Sequence, residues 1–189
     1  MAAAHTVLCA PFKVSSPLST SPEVAGHTRV PPPRNGAIAG SYLDPSFAWH
    51  AFVRSPQGGF TVFDPPGSVS NPRYVTGISL VGEVTGYYSD LSTSTTHGYI
   101  RSLLGTLSSF DVPGALSTSI SSMNGLGSMT GSYYDVSGLH GFVRSPQGTV
   151  TTFDVPGGAS TNAQSINDLG VVTGTYSDVS GNLFGFLRF

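Results

Sequence analysis

Apolar and β-branched residues along this chain fall into short runs bounded by turn residues, not into stripes of helical length. Between Thr118 and Asp154 four such runs follow one another: Thr118 to Met123, Ser128 to Tyr134, His140 to Arg144 and Thr149 to Asp154. Each is separated from the next by Gly, Pro, Asn or Asp, and each is rich in the side chains that fit a pleated, half-buried surface. No segment carries a 3.6-residue apolar period over the length a helix needs. The pattern predicts four short strands joined by tight turns.

The turns are the clearest local signal. Ser55-Pro56-Gln57-Gly58 and Ser145-Pro146-Gln147-Gly148 put proline where φ must lie near −65°. The glycine follows where a left-handed residue completes a type I turn with a bulge, which is hairpin chemistry.

The same unit recurs along the chain. Gly-x-Tyr-x-Asp occurs at Gly40, Tyr42, Asp44; at Gly86, Tyr88, Asp90; at Gly131, Tyr133, Asp135; and at Gly174, Tyr176, Asp178, with glycine spacings of 46, 45 and 43. A second phrase follows each: His50-Ala51-Phe52-Val53-Arg54, His97-Gly98-Tyr99-Ile100-Arg101, His140-Gly141-Phe142-Val143-Arg144 and Phe184-Gly185-Phe186-Leu187-Arg188. A third, Phe-Asp-x-Pro-Gly, starts at Phe63, Phe110 and Phe153 and has no counterpart after Arg188. Its counterpart is at the other end of the chain, where Phe12 to Ser21 aligns without a gap on Phe110 to Ser119 and matches at six of ten positions.

Four-stranded units of about 45 residues repeated along a chain are the propeller pattern, in which neighbouring blades cover one another's faces. The expected fold is therefore all-β: a four-bladed β-propeller, residues 1–189 forming one domain with repeat boundaries near Gly40, Gly86, Gly131 and Gly174. Its last blade would be closed by the N-terminal strand lying beside Phe184 to Arg188, which would leave no sheet edge exposed. An open array or a sandwich is the competing arrangement.

Composition narrows the function. Only 10% of residues are charged, against about 25% in an average soluble protein, and eight basic against ten acidic residues leave a net charge of −2. That balance gives no basic footprint for nucleic acid or for an anionic membrane. Surface polarity must come from Ser, Thr, Asn and backbone groups, which suits neutral ligands such as sugars. The single cysteine, Cys9, excludes an internal disulfide and a cysteine-only metal site. The N-terminus lacks the basic start and apolar run of a signal peptide, and no stretch of 18 apolar residues occurs, so the chain as given is expected to be soluble with no export address.

The repeated phrases resemble the HAF repeat, a family named for its His-Ala-Phe triplet, which His50-Ala51-Phe52 shows intact and the other copies vary. The resemblance runs from about Phe12 onward and implies an extracellular bacterial protein. It implies no reaction, catalytic residue or cofactor.

Candidate chemistry divides into repeated and unrepeated residues. Asp135 and His140 are expected to face each other across a hairpin, as are Asp44 with His50 and Asp90 with His97; three equivalent pairs suit a scaffold better than one active site. One Asp and one His per unit are too few ligands for calcium or closed zinc, so no metal or cofactor is expected. Arg54, Arg101, Arg144 and Arg188 end the third strand and Asp64, Asp111 and Asp154 the fourth, which suggests ion pairs between blades or, alternatively, an anion-binding channel. The Gly-x-Tyr tyrosines are expected to wedge between blades, with sugar stacking the alternative. No Gly-x-Ser-x-Gly, HExxH, P-loop or dinucleotide motif occurs.

Residues that break the repeat are the better ligand-binding candidates, because the scaffold does not explain them. They are Trp49, the only tryptophan; Arg73 and Tyr74 in the first crossing between blades; His27 in the N-terminal insertion with Glu23, Arg29 and Pro31 to Pro33; and Glu83, which is placed to pair with Arg73. The expected function is a non-catalytic recognition module for a neutral glycan or other small polar ligand, held on the loops or in the central channel. Two alternatives stand beside it. One is a hydrolase or lyase built from His27, Glu23, Arg73 and Glu83 at one mouth of the channel; the other is a structural protein that assembles as a homo-oligomer.

Overall fold

The computed structural model describes residues 36–65 and 74–189. Among them the chain forms fourteen strands and no helix, arranged as four antiparallel sheets in chain order. The first sheet holds β1 (Ile38–Leu43), β2 (Trp49–Arg54) and β3 (Phe60–Phe63). The second holds β4 (Tyr74–Ile78), β5 (Val84–Asp90), β6 (Thr95–Arg101) and β7 (Leu107–Phe110). The third holds β8 (Ser117–Met123), β9 (Met129–Tyr134), β10 (Leu139–Arg144) and β11 (Val150–Phe153), and the last β12 (Ser160–Ile166), β13 (Val172–Ser177) and β14 (Leu183–Arg188). Each strand pairs with the next in sequence, so every sheet is a meander.

The four predicted strands of the third repeat match β8 to β11 within two residues at each end. The Ser-Pro-Gln-Gly turns form as expected: Ser145 N–H donates to the Thr149 carbonyl at 2.9 Å and Gly148, at φ 97°, donates to Ser145. The strand expected from Phe12 onward, and the join between last sheet and first, lie outside the described residues.

A three- or four-stranded meander of such short strands cannot bury both of its faces alone. Here each sheet lies against the next, β1 on β4, β4 to β6 on β8, and β8 to β10 on β12. Three separate apolar clusters fill these interfaces. Val75, Ile78, Val84 and Tyr99 meet Ala39, Ala51 and Phe63 in the first. Ile120, Met123, Met129 and Phe142 meet Val112 in the second, and Ala163, Ile166 and Val172 with Val143, Phe153 and Phe186 form the third.

The glycine of Gly-x-Tyr-x-Asp is explained by a bulge. The first and second strands of the last three sheets slip register between Val75 and Gly77, between Ile120 and Ser122, and between Ala163 and Ser165. Opposite each slip stands Gly86, Gly131 or Gly174, and a Cβ there would overlap the carbonyl oxygen of Tyr74, Ser119 or Asn162. The bulge turns the leading strand toward its neighbour, and only glycine leaves room for it.

Loops between first and second strands bind one sheet to the next. Leu80 N–H donates to the Gly125 carbonyl at 2.9 Å, Asn124 Nδ2 to the Asn167 carbonyl at 2.9 Å, and Gly125 N–H to Asp168 Oδ1 at 2.7 Å.

Gly131→Ala is expected to destabilise the protein by about 3 kcal/mol, since the new methyl meets backbone and the ring of Phe142. Urea denaturation of the variant against wild type measures it; an unchanged midpoint would contradict the bulge account.

Candidate functional site

The aspartate of each Gly-x-Tyr-x-Asp phrase closes the hairpin that follows it. Asp135 Oδ1 accepts from the N–H and hydroxyl of Ser137 at 2.7 and 2.6 Å; Asp90 holds Ser92 in the same way. Asp44 accepts from the N–H groups of Ser46 and Ala48, and Asp178 from those of Ser180 and Asn182. These donors hold all four carboxyls below the usual carboxylate range: for Asp44 chiefly the Ala48 N–H, for Asp90 and Asp135 chiefly the Ser92 and Ser137 hydroxyls, and for Asp178 chiefly the Asn182 side chain.

The histidine next in line reaches further than the hairpin. His140 Nε2 stands 3.2 Å from Asp135, the pairing expected across the loop. Its Nδ1 donates at 2.8 Å to Asp154, at the end of the fourth strand. The fourth-strand pairing recurs, with His97 Nδ1 2.8 Å from Asp111 and His50 Nδ1 3.1 Å from Asp64; His50 Nε2 also lies 3.4 Å from Asp44, whereas His97 Nε2 meets the Thr95 hydroxyl at 2.8 Å in place of the expected Asp90. In each case the ring also lies against the tyrosine of the same phrase, at centroid distances of 5.3, 5.6 and 5.2 Å for Tyr42, Tyr88 and Tyr133. One imidazole thus ties together the second strand, the hairpin loop and the end of the fourth strand.

Asp64, Asp111 and Asp154 are therefore partners of histidine, and the expected ion pairs with arginine do not form among the described residues. The arginines lie over aromatic rings of the preceding sheet instead: Arg101 over Phe63 at 5.1 Å, Arg144 over Phe110 at 5.5 Å and Arg188 over Phe153 at 4.8 Å. The buried Nε of Arg101 has no hydrogen-bond partner, so ring contact carries much of its burial. The constant spacing of fourteen residues from histidine to aspartate was the available sequence signal for the first pairing. For the second it was the aromatic that precedes each of those aspartates.

Ser137, His140 and Asp154 line up as a nucleophilic triad would, with 2.9 Å from Ser137 Oγ to Nε2 and 2.8 Å from Nδ1 to Asp154. The proton count argues against that chemistry. The Ser137 hydroxyl has one proton and gives it to Asp135 at 2.6 Å, so its contact with Nε2 requires the imidazole to donate. A serine that accepts from an imidazolium cannot hand its proton to that histidine, so His140 is not the base of a triad. Partial burial pulls the His140 pKa down, but Asp154 and Asp135 outweigh it and hold the imidazole above its ordinary value.

Among the described residues, the unrepeated candidates Tyr74 and Glu83 stand at opposite ends of the second sheet, and Trp49 lies in the first. Tyr74 is exposed at the first position of β4, its ring stacked on Tyr87 at 4.6 Å. Trp49 is half-buried at the start of β2, beside the hairpin loop and opposite Leu43. Glu83 sits at the other end of the second sheet, in the turn leading into Val84, with its carboxylate against Gly127. His27, Arg73 and Glu23 lie outside the described residues, so the Glu83–Arg73 pairing does too. No group of three or more metal-ligating side chains comes together among the described residues.

A groove of about 240 Å³ opens beside β14, between Phe153, Val155, Pro156, Phe186 and Arg188. At the same position one interface earlier Val112 is only 2% exposed, because Val150 of the fourth strand of the next sheet packs into that cluster.

No family model matches this chain, and no curated protein matches it.

Protonated His140 is favoured by the fold, so its contribution to stability is full below about pH 6.5, the unperturbed value, and is lost as pH rises through the raised folded value. His140→Phe, which copies the fourth repeat, is expected to lower the melting temperature more at pH 5.5 than at pH 8.5. Equal losses at both pH values would contradict the clamp.

Proposed function

We propose that the chain is a non-catalytic recognition module, a closed ring of four blades that presents uncharged polar and aromatic loops to a neutral ligand such as a glycan. What supports this reading most is how the ionisable side chains are used. Each histidine among the described residues is held by the aspartate that ends the fourth strand of its own sheet, and His50 and His140 also by the hairpin aspartate, so these imidazole–carboxylate pairs already serve the sheets. The tyrosine pair on the second sheet, Tyr74 exposed and stacked on the half-buried Tyr87, suits the apolar face of a pyranose, and the half-buried Trp49 at the start of β2 is a second aromatic candidate.

Ring closure is supported by the two sheet faces left uncovered. On the last sheet Leu183 and Leu187 are 72% and 63% exposed, whereas Val143, the counterpart of Leu187, packs into an interface. On the first sheet Phe60 and Val62 are 47% and 46% exposed on the face that, in the second sheet, Leu107 turns toward its predecessor. These two faces are the apolar surfaces a four-membered ring would bring together. The resemblance of the repeated phrases to HAF repeats supports an extracellular location for such a ring.

Tyr74→Ala and Trp49→Ala are each expected to weaken glycan binding at least tenfold while leaving the melting temperature within about 2 °C of wild type. A glycan array followed by titration calorimetry reads the result. Absence of binding across neutral, acidic and basic glycans would remove the proposal.

A further inference from the structure

We propose that the Thr95 hydroxyl is a nucleophile with His97 as its base and Asp111 as the orienting carboxylate, forming an acyl-acceptor site for activated esters. One acyl transfer per chain is meant, not turnover, so the site stands beside the recognition reading and is independent of it.

The second sheet departs from the other clamps in the length of its hairpin. His97 follows Asp90 by seven positions, whereas His50 follows Asp44 by six and His140 follows Asp135 by five. The added length extends the ladder by a rung: Asp90 pairs with Thr95 at the ends of β5 and β6, while β9 ends at Tyr134 and leaves Asp135 in the loop. Thr95 and His97, two apart on one strand, therefore share a face. The position two before the histidine is Ala48 in the first sheet and Gly138 in the third, so of the three clamps this one alone places a hydroxyl there.

Asp90 is turned to Ser92, and His97 Nε2 forms no ion pair with it. Among the described residues the one hydrogen bond of Nε2 is to Thr95 Oγ1 at 2.8 Å, while Nδ1 lies 2.8 Å from Asp111. Thr93 Oγ1 lies 2.5 Å from Thr95 Oγ1. The two threonines flank Ser94, whose φ of 58° is a left-handed conformation that glycine usually supplies; the turn curls at that residue and brings the hydroxyls together.

The proton count that disqualifies Ser137 admits Thr95. Ser137 gives its proton to Asp135, which obliges His140 Nε2 to donate. Thr95 has no carboxylate acceptor. A neutral ring whose Nδ1–H is given to Asp111 presents a lone pair at Nε2; Thr93 then donates to Thr95, and Thr95 to that lone pair. Nucleophile, base and orienting group thus stand in the order that activates a hydroxyl. They are within reach of a small ester: the side chains of His97 and Asp111 are 25% and 39% exposed, and Thr95 is half-buried.

The transfer balances without a co-reactant. Thr95 Oγ1 forms a bond to the carbonyl carbon of the ester as its proton passes to Nε2, and Asp111 faces the imidazolium so formed. The tetrahedral adduct then expels the alkoxy or aryloxy group, which departs with the proton from Nε2. An acyl-threonine ester and one alcohol or phenol result, with nothing oxidised or reduced.

The full chain incubated with p-nitrophenyl acetate at neutral pH, followed by peptide mapping in a mass spectrometer, tests the assignment. Acetylation of Thr95 is expected about a hundredfold faster than that of Ser137 in the same molecules, the lower end of what a positioned base contributes. His97→Phe, which copies the fourth repeat, is expected to bring Thr95 down to the rate of Ser137, and Thr95→Ser to keep the fast reaction at position 95. Comparable rates at Thr95 and Ser137 in the wild-type chain overturn the proposal with no variant needed. A fast reaction that survives His97→Phe also overturns it, as does one lost in Thr95→Ser at an unchanged melting temperature.

Discussion

Everything in this fold depends on burial between sheets. No sheet has an apolar interior of its own; each buries a face only by lying against its neighbour, and the three clusters around Tyr99, Phe142 and Val172 are interfaces. Apolar area removed from water is worth about 25 cal/mol per Å², so a single exposed meander of this size has little to set against the entropy of ordering its chain. Repetition supplies the missing partner. The bulge in the leading strand belongs to the same logic, because it brings one backbone close to the next at a glycine that concedes the space.

The few charges serve this architecture. Among the described residues this protein places its three histidines where one ring joins three strands of a sheet, and Arg101, Arg144 and Arg188 where a flat cation covers an aromatic face of the sheet before. Hydrogen bonds inside a sheet and cation–ring contacts between sheets thus divide the work. The carboxylates that look catalytic in isolation are already engaged by backbone and hydroxyl donors in every hairpin.

Local geometry was legible in the sequence and longer-range pairing was not. The strands of the third repeat, the Ser-Pro-Gln-Gly turns and the approach of Asp135 to His140 depend on neighbours a few residues apart, and their residue types announced them. The pairing of His140 with Asp154 depends on the register of two further strands, so the aspartates were assigned to the wrong cation. The arginines differ from expectation for a related reason: their charge points to a carboxylate partner, whereas what faces Arg144 across the interface is the ring of Phe110. Nothing in the residue pattern marked the bulges beyond the glycines opposite them. The unrepeated residues were visible as exceptions, but an exception in sequence carries no direction in space, and Glu83 stands at the far end of its sheet from Tyr74.

The position of Trp49 has an optical consequence. As the sole indole, half-buried in the first sheet, it makes intrinsic fluorescence a local reporter in a molecule whose contacts run from neighbour to neighbour. The tyrosines, spread over all four sheets, report on the whole. A gap between the two signals during denaturation would time the detachment of one sheet from the rest, while their coincidence would mean that the stack lets go as a single body.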